Sequence, residues 1–386
     1  MRLSLLKIIL INLFILEGLS FMLVRCFYLA TPPQVYKQQF IPYFIDTEAR
    51  FTTWHLPDTS TRQIGPRWNV KYRFNSAGAR DKERQQKSSK TRFLFLGDSF
   101  MEGYGVKQKD RLSDIVEKET QTESLNFSVS GLAQTQMRLL YTDLAAGYDH
   151  QVLFLTLYPY NDFREMNYEN RQKFFGDRHK PYTVKDSSGN FRTVYYLKDA
   201  RESAYHISKF TRITARNLVS SIVRSDLPLP EKGWSVFRNF SYTGSLLDTA
   251  VERIRQRLAP AENGSSGFDP GNHHLQSPGE DQWEILAYEL KQIREQAGSR
   301  PVILMLIPHP DDFAYIRALG GKSPVQEKME EIAGGMGIHF VDFLAKMPAE
   351  NVKKLYHRND DHWNKKGHSV AAKILVKELE NLGLLP

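Results

Sequence analysis

Hydrophobic residues in this chain gather into short continuous runs of the kind that buried parallel strands show. Five such runs stand out, at Arg92–Leu96, Ser124–Val129, Gln151–Tyr158, Pro301–Ile307 and Ile338–Phe343. Helical patterns separate several of them. Trp283, Leu286, Leu290 and Ile293 recur at three- and four-residue intervals, so the Asp281–Gly298 segment carries one core-facing stripe. Val370, Ala371, Ile374, Leu375 and Leu379 do the same for Gly367–Leu385. Strands alternating with helices in this way predict an α/β fold with a doubly wound, five-stranded parallel sheet.

The rhythm breaks between Phe163 and Glu280, which reads as a long insertion. Within it, helices are predicted around Ser203–Val223 and Ser245–Leu258, followed by a Gly-, Ser-, Pro- and His-rich stretch, Asn263–Glu280, expected to be mobile. An insertion at this position suits a lid or a substrate-recognition subdomain. His273 and His274 invite a metal reading, but no partner ligands stand at recognisable spacing, so no metal site is predicted. Upstream, Tyr28–Trp68 lacks periodicity and suits a stalk or arm, and Val70–Asp81 alternates and then turns, as an edge hairpin would.

The amino terminus asks for a different solvent. Ile8–Val24 is almost wholly apolar, and with Leu3–Leu6 it approaches the about 20 residues that span a bilayer as a helix. A transmembrane anchor is predicted, against the cost of Glu17, about 2.5 to 3.5 kcal/mol for an acid in mid-membrane. A cleaved signal peptide is the alternative, although no clear small-x-small site follows the apolar core. Arg2 and Lys7 lie on one side and Arg25 on the other; the orientation adopted has a cytoplasmic amino terminus and a periplasmic or extracellular domain.

Composition changes little. With 386 residues, 41% hydrophobic and 25% charged, the balance is that of a globular protein large enough for one large or two ordinary domains. The formal charge of +8 is spread along the chain apart from a basic loop, Arg80–Arg92, read as solvated. No nucleic-acid-binding signature is found. The one cysteine, Cys26, excludes an intramolecular disulfide framework and a cysteine zinc site. No cofactor is expected.

The candidate chemistry lies at the strand ends. The first run stops at Gly97-Asp98-Ser99, a turn that would hold a hydroxyl above the carboxyl edge of the sheet, where open α/β sheets place their ligands. Far along the chain, Asp360-Asp361-His362-Trp363 offers a carboxylate and a histidine, the orienting acid and general base that a serine needs. The second run leads into Gly131 and the third into Asn161-Asp162. Each of these four pieces alone is an ordinary turn or helix cap. Jointly, the N–H groups of Ser99 and Gly131 and the Asn161 amide could stabilise one oxyanion.

These four blocks, in this order, resemble those of the SGNH, or GDSL-like, hydrolase family. The resemblance covers Thr91–Pro386 apart from the insertion. It implies a flavodoxin-like three-layer sandwich, with Ser99 as nucleophile, His362 as base, and Ser99, Gly131 and Asn161 as the oxyanion hole. There are departures: Phe100 replaces a leucine, Pro159 stands where the third block usually has glycine, and Asn359 occupies the usual position of the acid. Asp360 instead matches the Asp-x-His-Trp arrangement of bacterial exopolysaccharide O-acetyltransferases of this superfamily, so Asp360 is assigned as the acid with Asp361 in reserve. Asn75-x-x-Gly78-x-Arg80 is similar to an element of membrane-anchored bacterial relatives.

The expectation is therefore an anchor (1–27), a stalk and arm (28–90) and an SGNH domain (91–386) with an insertion at about 163–280. It would be a serine esterase acting on acyl esters, O-acetyl esters above all, of cell-envelope or secreted glycans. An O-acetyltransferase of such a glycan, working with envelope polysaccharide machinery, and a non-catalytic glycan-binding or assembly protein are the alternatives.

Overall fold

The structure, a computed structural model, describes residues 5–27, 29–30, 33, 44–64, 68–172, 177–209, 215–258, 273–275, 278–358 and 360–385. The chain divides into two compact units. The larger comprises Ile41–Thr61, Lys71–Phe210 and Phe268–Pro386, and the smaller Met1–Phe40, Arg62–Val70 and Thr211–Gly267.

In the larger unit the five apolar runs become strands β1 (Arg92–Leu96), β2 (Glu123–Asn126), β3 (Val152–Leu157), β4 (Val302–Leu306) and β5 (His339–Asp342). All neighbouring pairs are parallel, in the spatial order β5-β4-β3-β1-β2. This is the flavodoxin-like doubly wound order, in which the direction of winding reverses beside β1. Every residue of β1, β3 and β4 is buried, as strands covered on both faces must be. Right-handed crossovers on either side of the reversal send helices to opposite faces. Leu112–Thr120 packs with Lys365–Asn381 in one layer, and Gln134–Asp143 with Glu280–Ala297 in the other. The predicted stripe of Trp283, Leu286, Leu290 and Ile293 is buried, as are Ala371, Leu375 and Leu379.

Several boundaries differ from expectation. β2 ends at Asn126 rather than Val129, because the Asn126 amide turns inward to donate to Met101 O and Ser113 Oγ, both at 2.8 Å. The insertion contributes an antiparallel hairpin, Pro181–Lys185 with Phe191–Tyr195, that the sequence pattern did not announce. Helices run over Ala215–Arg224, Leu229–Phe240 and Tyr242–Leu258; the middle one was not predicted, and of the helix expected from Ser203 the chain forms one 3-10 turn, Ile207–Lys209, before residues 210–214, which lie outside the described residues. Of the stretch expected to be mobile, residues 263–272 and 276–277 lie outside the described residues. Asn69–Arg73 is indeed a strand, paired in a two-stranded ribbon with Ser60–Ile64.

Segments before β1 brace the sheet's carboxyl edge. Asp46, fully buried, accepts bonds from the Arg178 guanidinium, from His179 N–H at 3.0 Å and from Ser203 Oγ at 2.6 Å, joining the arm to the insertion. Burial alone would raise the Asp46 carboxyl, but the Arg178 bond and charge outweigh it and hold it below the usual range. Asn75 Oδ1 accepts from the N–H groups of Ala77 (3.1 Å) and Ala79 (2.9 Å), a local turn that delivers Arg80 into the interior. There Arg80 donates to the carbonyls of Glu102 (2.6 Å), Gly103 (2.7 Å) and Val106 (2.7 Å) and lies over the Tyr72 ring at 3.4 Å. Burial lowers its pKa to about 10, so it stays charged at neutral pH. The three carbonyls belong to the chain directly after Ser99.

Replacing Arg80 with methionine leaves those buried carbonyls without their donor. The expected loss is on the order of 3 kcal/mol in stability, read as a lower urea midpoint for the detergent-solubilised full chain; an unchanged midpoint would mean the carbonyls find other donors.

Candidate active site

β1 hands the chain to a four-residue helix, Ser99–Glu102, through Gly97 and Asp98. At Gly97 a side chain has no room: a Cβ would stand 2.6 Å from both Met101 Cβ and Thr156 Oγ1. Asp98 caps the helix by accepting the Phe100 N–H at 3.0 Å, and Ser99 is thereby held at the carboxyl edge of β1 with 8% of its surface exposed.

His362 reaches this serine from the other end of the fold. Its Nε2 lies 2.7 Å from Ser99 Oγ, and its Nδ1 lies 2.7 Å from Asp360 Oδ1, which also accepts the His362 backbone N–H at 2.9 Å. With the Nδ1 proton on the carboxylate side, Nε2 presents its lone pair to the serine hydroxyl. Burial would raise the Asp360 carboxyl, but the hydrogen bond and charge of His362 outweigh it and keep the carboxyl below its usual range. Asp361 turns elsewhere: its Oδ2 lies 3.3 Å from His309 Nε2. Asn359 lies outside the described residues. The imidazole is flanked by the rings of Tyr104 (4.4 Å) and Phe100 (5.0 Å), and Trp363, fully buried, packs edge-on against Phe100 and Phe343.

Gly131 and Asn161 sit on the two loops beside Ser99. The loop after β2 is tied to β1 by a bond from Val129 N–H to Gly97 O at 3.2 Å, and Glu102 accepts the Ser130 N–H at 2.8 Å. Gly131 has φ 82°, a left-handed conformation that a side chain would strain. Asn161 follows β3, the immediate neighbour of β1. Its Nδ2 donates to Glu165 Oε1 at 2.9 Å, so one amide hydrogen is anchored and the other is left to point away. Glu165 Oε2 in turn pairs with Lys180 Nζ at 3.1 Å, and the same ammonium donates to Gly131 O at 3.3 Å. Lys180, buried and with its pKa lowered by that burial, thus links both loops. Neither Glu165 nor Lys180 was singled out from sequence. Glu165 lies one helical turn from Asn161 and was visible in principle; Lys180 carries no local signal.

Two buried acids lie behind the serine. Burial pushes the Asp98 carboxyl up to about 7, and Asp162, whose Oδ2 accepts from Tyr158 N–H (2.9 Å) and Gln134 Nε2 (3.1 Å), is raised well above the usual range by burial and by the charge of Asp98.

A second cluster surrounds the loop after β4. His274 Nε2 is 2.7 Å and His273 Nε2 3.6 Å from Asp312 Oδ1, while Tyr160, 40% exposed, stacks on His309 at 4.3 Å. Burial and then the neighbouring His274 lower His273 to about 4. The partner that sequence spacing did not reveal is Asp312, and the three ligand atoms lie within 4.8 Å of one another, near enough to hold a divalent ion. The fit is imperfect: the Leu275 N–H donates to His273 Nδ1 at 3.2 Å, which favours a proton on Nε2, the nitrogen that would have to ligate.

No protein-family model matches this chain, and no curated protein matches it. Solved structures do. A lipolytic G-D-S-L family member from Veillonella parvula is 11% identical, with 74% of this chain and 97% of that one covered at a TM-score of 0.35. An acetylxylan esterase from Geobacillus stearothermophilus, solved as a catalytic mutant, is 12% identical, with 76% and 96% covered at 0.37. A two-domain esterase active on acetylated mannans is 10% identical, with 77% and 51% covered at 0.37. Likeness at this level assigns no chemistry to the chain.

Asp98 yields a pH test. Unfolded, it titrates near 3.8, and folded, near 7, so between those values the folded state holds the extra proton and stability falls as pH rises. Asp98→Asn keeps the helix cap without the titration. Urea unfolding from pH 4 to pH 8 is expected to show a flatter stability profile for the variant than for the parent chain; parallel profiles would remove Asp98 as the titrating group.

Proposed function

We propose that the larger unit is a serine hydrolase acting on acyl esters, chiefly O-acetyl esters of cell-envelope or secreted glycans. The observation that carries this reading is the continuous Ser99–His362–Asp360 chain, with both hydrogen-bonded contacts at 2.7 Å. In the proposed mechanism Ser99 Oγ attacks the acyl carbon as its proton passes to His362 Nε2. The carbonyl π pair moves onto oxygen, and the N–H groups of Ser99 and Gly131 with the free Asn161 amide hydrogen stabilise that charge. Collapse expels the sugar oxygen, which takes the proton from His362, leaving an acyl-serine. Water, deprotonated by His362, then releases acetate and restores Ser99. Asp360 holds the tautomer and offsets the imidazolium charge throughout.

Lys180 has a positioning role in this scheme. Glu165 selects which amide hydrogen of Asn161 is free, but an unpaired buried carboxylate there would oppose the developing oxyanion. The ammonium neutralises it. The proposal includes attachment to a membrane through the Leu5–Arg25 helix, 21 residues long and apolar enough to cross one, with the catalytic unit on the periplasmic or outer side.

Incubation with an activated acetyl ester, with and without oligosaccharide acceptors, tests the reading; acetylated sugar in place of free acetate would redirect it to an acyltransferase. Ser99→Ala and His362→Ala are expected to abolish turnover. Asp360→Asn should cost up to about 10,000-fold in kcat with little change in KM, and Asp361→Asn should retain most activity. Turnover by Ser99→Ala at the parent rate would remove the mechanism.

Lys180→Met is expected to lower kcat by roughly 10- to 100-fold at nearly constant KM. Adding Glu165→Gln, whose carbonyl still accepts from Asn161 without the charge, should recover most of that loss. Equal defects in the single and double variants would confine Lys180 to a structural part.

A further inference from the structure

The smaller unit pairs the apolar Leu5–Arg25 helix with the insertion. Glu17, the residue that weighs against a membrane span, is not left to lipid: its carboxylate accepts the backbone N–H groups of Tyr242 (2.6 Å) and Thr243 (3.0 Å) and the Ser241 hydroxyl (2.8 Å). These are the first residues of the Tyr242–Leu258 helix, whose opening N–H groups have no partners inside the helix. In hydrocarbon, a bare carboxylate and a bare helix amino terminus are each excluded. Together they satisfy one another, with the helix dipole adding to the match.

The contacts also give a direction. Thr243 bonds to Ser20 at 3.0 Å, Tyr242 meets Phe21 edge-on and accepts from Arg25 Nε at 3.0 Å, and Leu246 packs where Val24, Ala30 and Tyr242 cluster. The helix therefore climbs from the level of Glu17 towards the Arg25 end. Glu17 precedes Arg25 by eight residues, about 12 Å along the helix axis. If Leu5–Arg25 spans a bilayer, the turn at Ser241 lies at that depth. The preceding helix, Leu229–Phe240, packs against Tyr242–Leu258 and meets it at this turn.

The outer surface of the pair agrees with such a place. Phe237 and Leu247, within about 10 Å of the turn along their helices, are exposed, at 38% and 45%, in the same unit as a helix whose apolar side chains are exposed from Leu5 to Met22. The polar groups nearest the turn are paired: Asp248 accepts from Trp234 Nε1 at 3.0 Å and faces Arg238 at 3.4 Å. Trp234, seven residues before the turn, falls about 10 Å above it, close to the interfacial level that tryptophan favours.

We infer that Leu229–Phe240 and Tyr242–Leu258 form a re-entrant helical hairpin, its apex inserted into the bilayer's hydrocarbon layer and pinned to the amino-terminal span by Glu17, with lipid acyl chains covering its exposed apolar flank. This rests on reading Leu5–Arg25 as a bilayer span and is independent of the triad.

The test uses the full chain, reconstituted in phosphatidylcholine–phosphatidylglycerol vesicles. In a Cys26→Ser background, single cysteines at Phe237→Cys and Leu247→Cys carry an environment-sensitive fluorophore, with Ser188→Cys as a water-exposed reference. Labels on the hairpin are expected to be quenched by nitroxide-bearing lipids and to lose quenching by aqueous iodide, the reverse of the Ser188 label. Glu17→Leu should restore iodide quenching at Leu247→Cys, whereas Glu17→Gln, which keeps an acceptor, should restore less. Carbonate extraction of the protein would overturn the span and the hairpin with it. A carbonate-resistant protein whose hairpin labels are open to iodide would keep the anchor and overturn only the hairpin. Labels shielded from both quenchers would put protein, a second copy or another partner, on the flank instead of lipid, and would also overturn it.

Discussion

The bond between Ser99 Oγ and His362 Nε2 joins residues 263 positions apart, and nothing local brings them together. It exists because of where the sheet reverses its winding. β1 and β3 are neighbours, β2 lies on the outer side of β1, and the helices that follow β1 and β5 pack together in one layer while the one after β2 and the one before β4 pack together in the other. The carboxyl ends of the strands are then left uncovered at one crevice, into which the segment carrying Asp360 and His362 falls. Trp363, fully buried against Phe100 and Phe343, fixes that segment against the Ser99–Glu102 helix. A shift of one residue in the β1–β3 register would send each side chain to the opposite helix layer and separate the pair.

Around this crevice the fold repeatedly solves one problem, the carboxylate taken out of water. Asp46 is met by Arg178, a backbone N–H and a serine hydroxyl, Glu102 by His55 and Ser130, and Glu165 by Lys180 and Asn161. In each case at least one donor comes from a different stretch of chain than the acid. Such pairs add little net stability over apolar packing, but removing one partner strands a buried charge. They act here as locks on geometry: Glu102 holds the loop bearing Gly131, and Glu165 holds the amide of Asn161. At Asp98 and Asp162 burial prevails instead and raises the carboxyl pKa.

The strands were legible because a parallel sheet buries both faces and leaves unbroken apolar runs, and the helical stripes because their burial is one-sided. Ser99, His362 and Asp360 were legible because strand-end turns and a short acid-x-His spacing are local. Lys180 was not, since its role comes from pairing with Glu165 and Gly131, distant in sequence. The Pro181–Lys185 hairpin escaped for a different reason: its strands are weakly alternating, so the turn residues Asp186-Ser187-Ser188-Gly189-Asn190, with Gly189 at φ 85°, stand between runs that carry no clear strand pattern. Asp312 could not be matched to His273 and His274 by spacing, because β4 and a loop of the insertion bring them together. Glu17 was readable only as a cost, because its compensating helix start lies more than 200 residues away.

That last pairing bears on how freely the parts of this protein could be exchanged in evolution. Many amino-terminal spans are interchangeable, since lipid asks only for length and apolarity. The Leu5–Arg25 helix, proposed above as such a span, holds half of a hydrogen-bonded motif whose other half is the turn at Ser241–Thr243. A replacement helix without an acid at the level of Glu17 would leave the turn's N–H groups unmatched, and an insertion lost or recast would leave Glu17 stranded. The two segments, at opposite ends of the sequence's logic, are heritable as a pair, so recombination that swaps one is expected to survive only where the other travels with it.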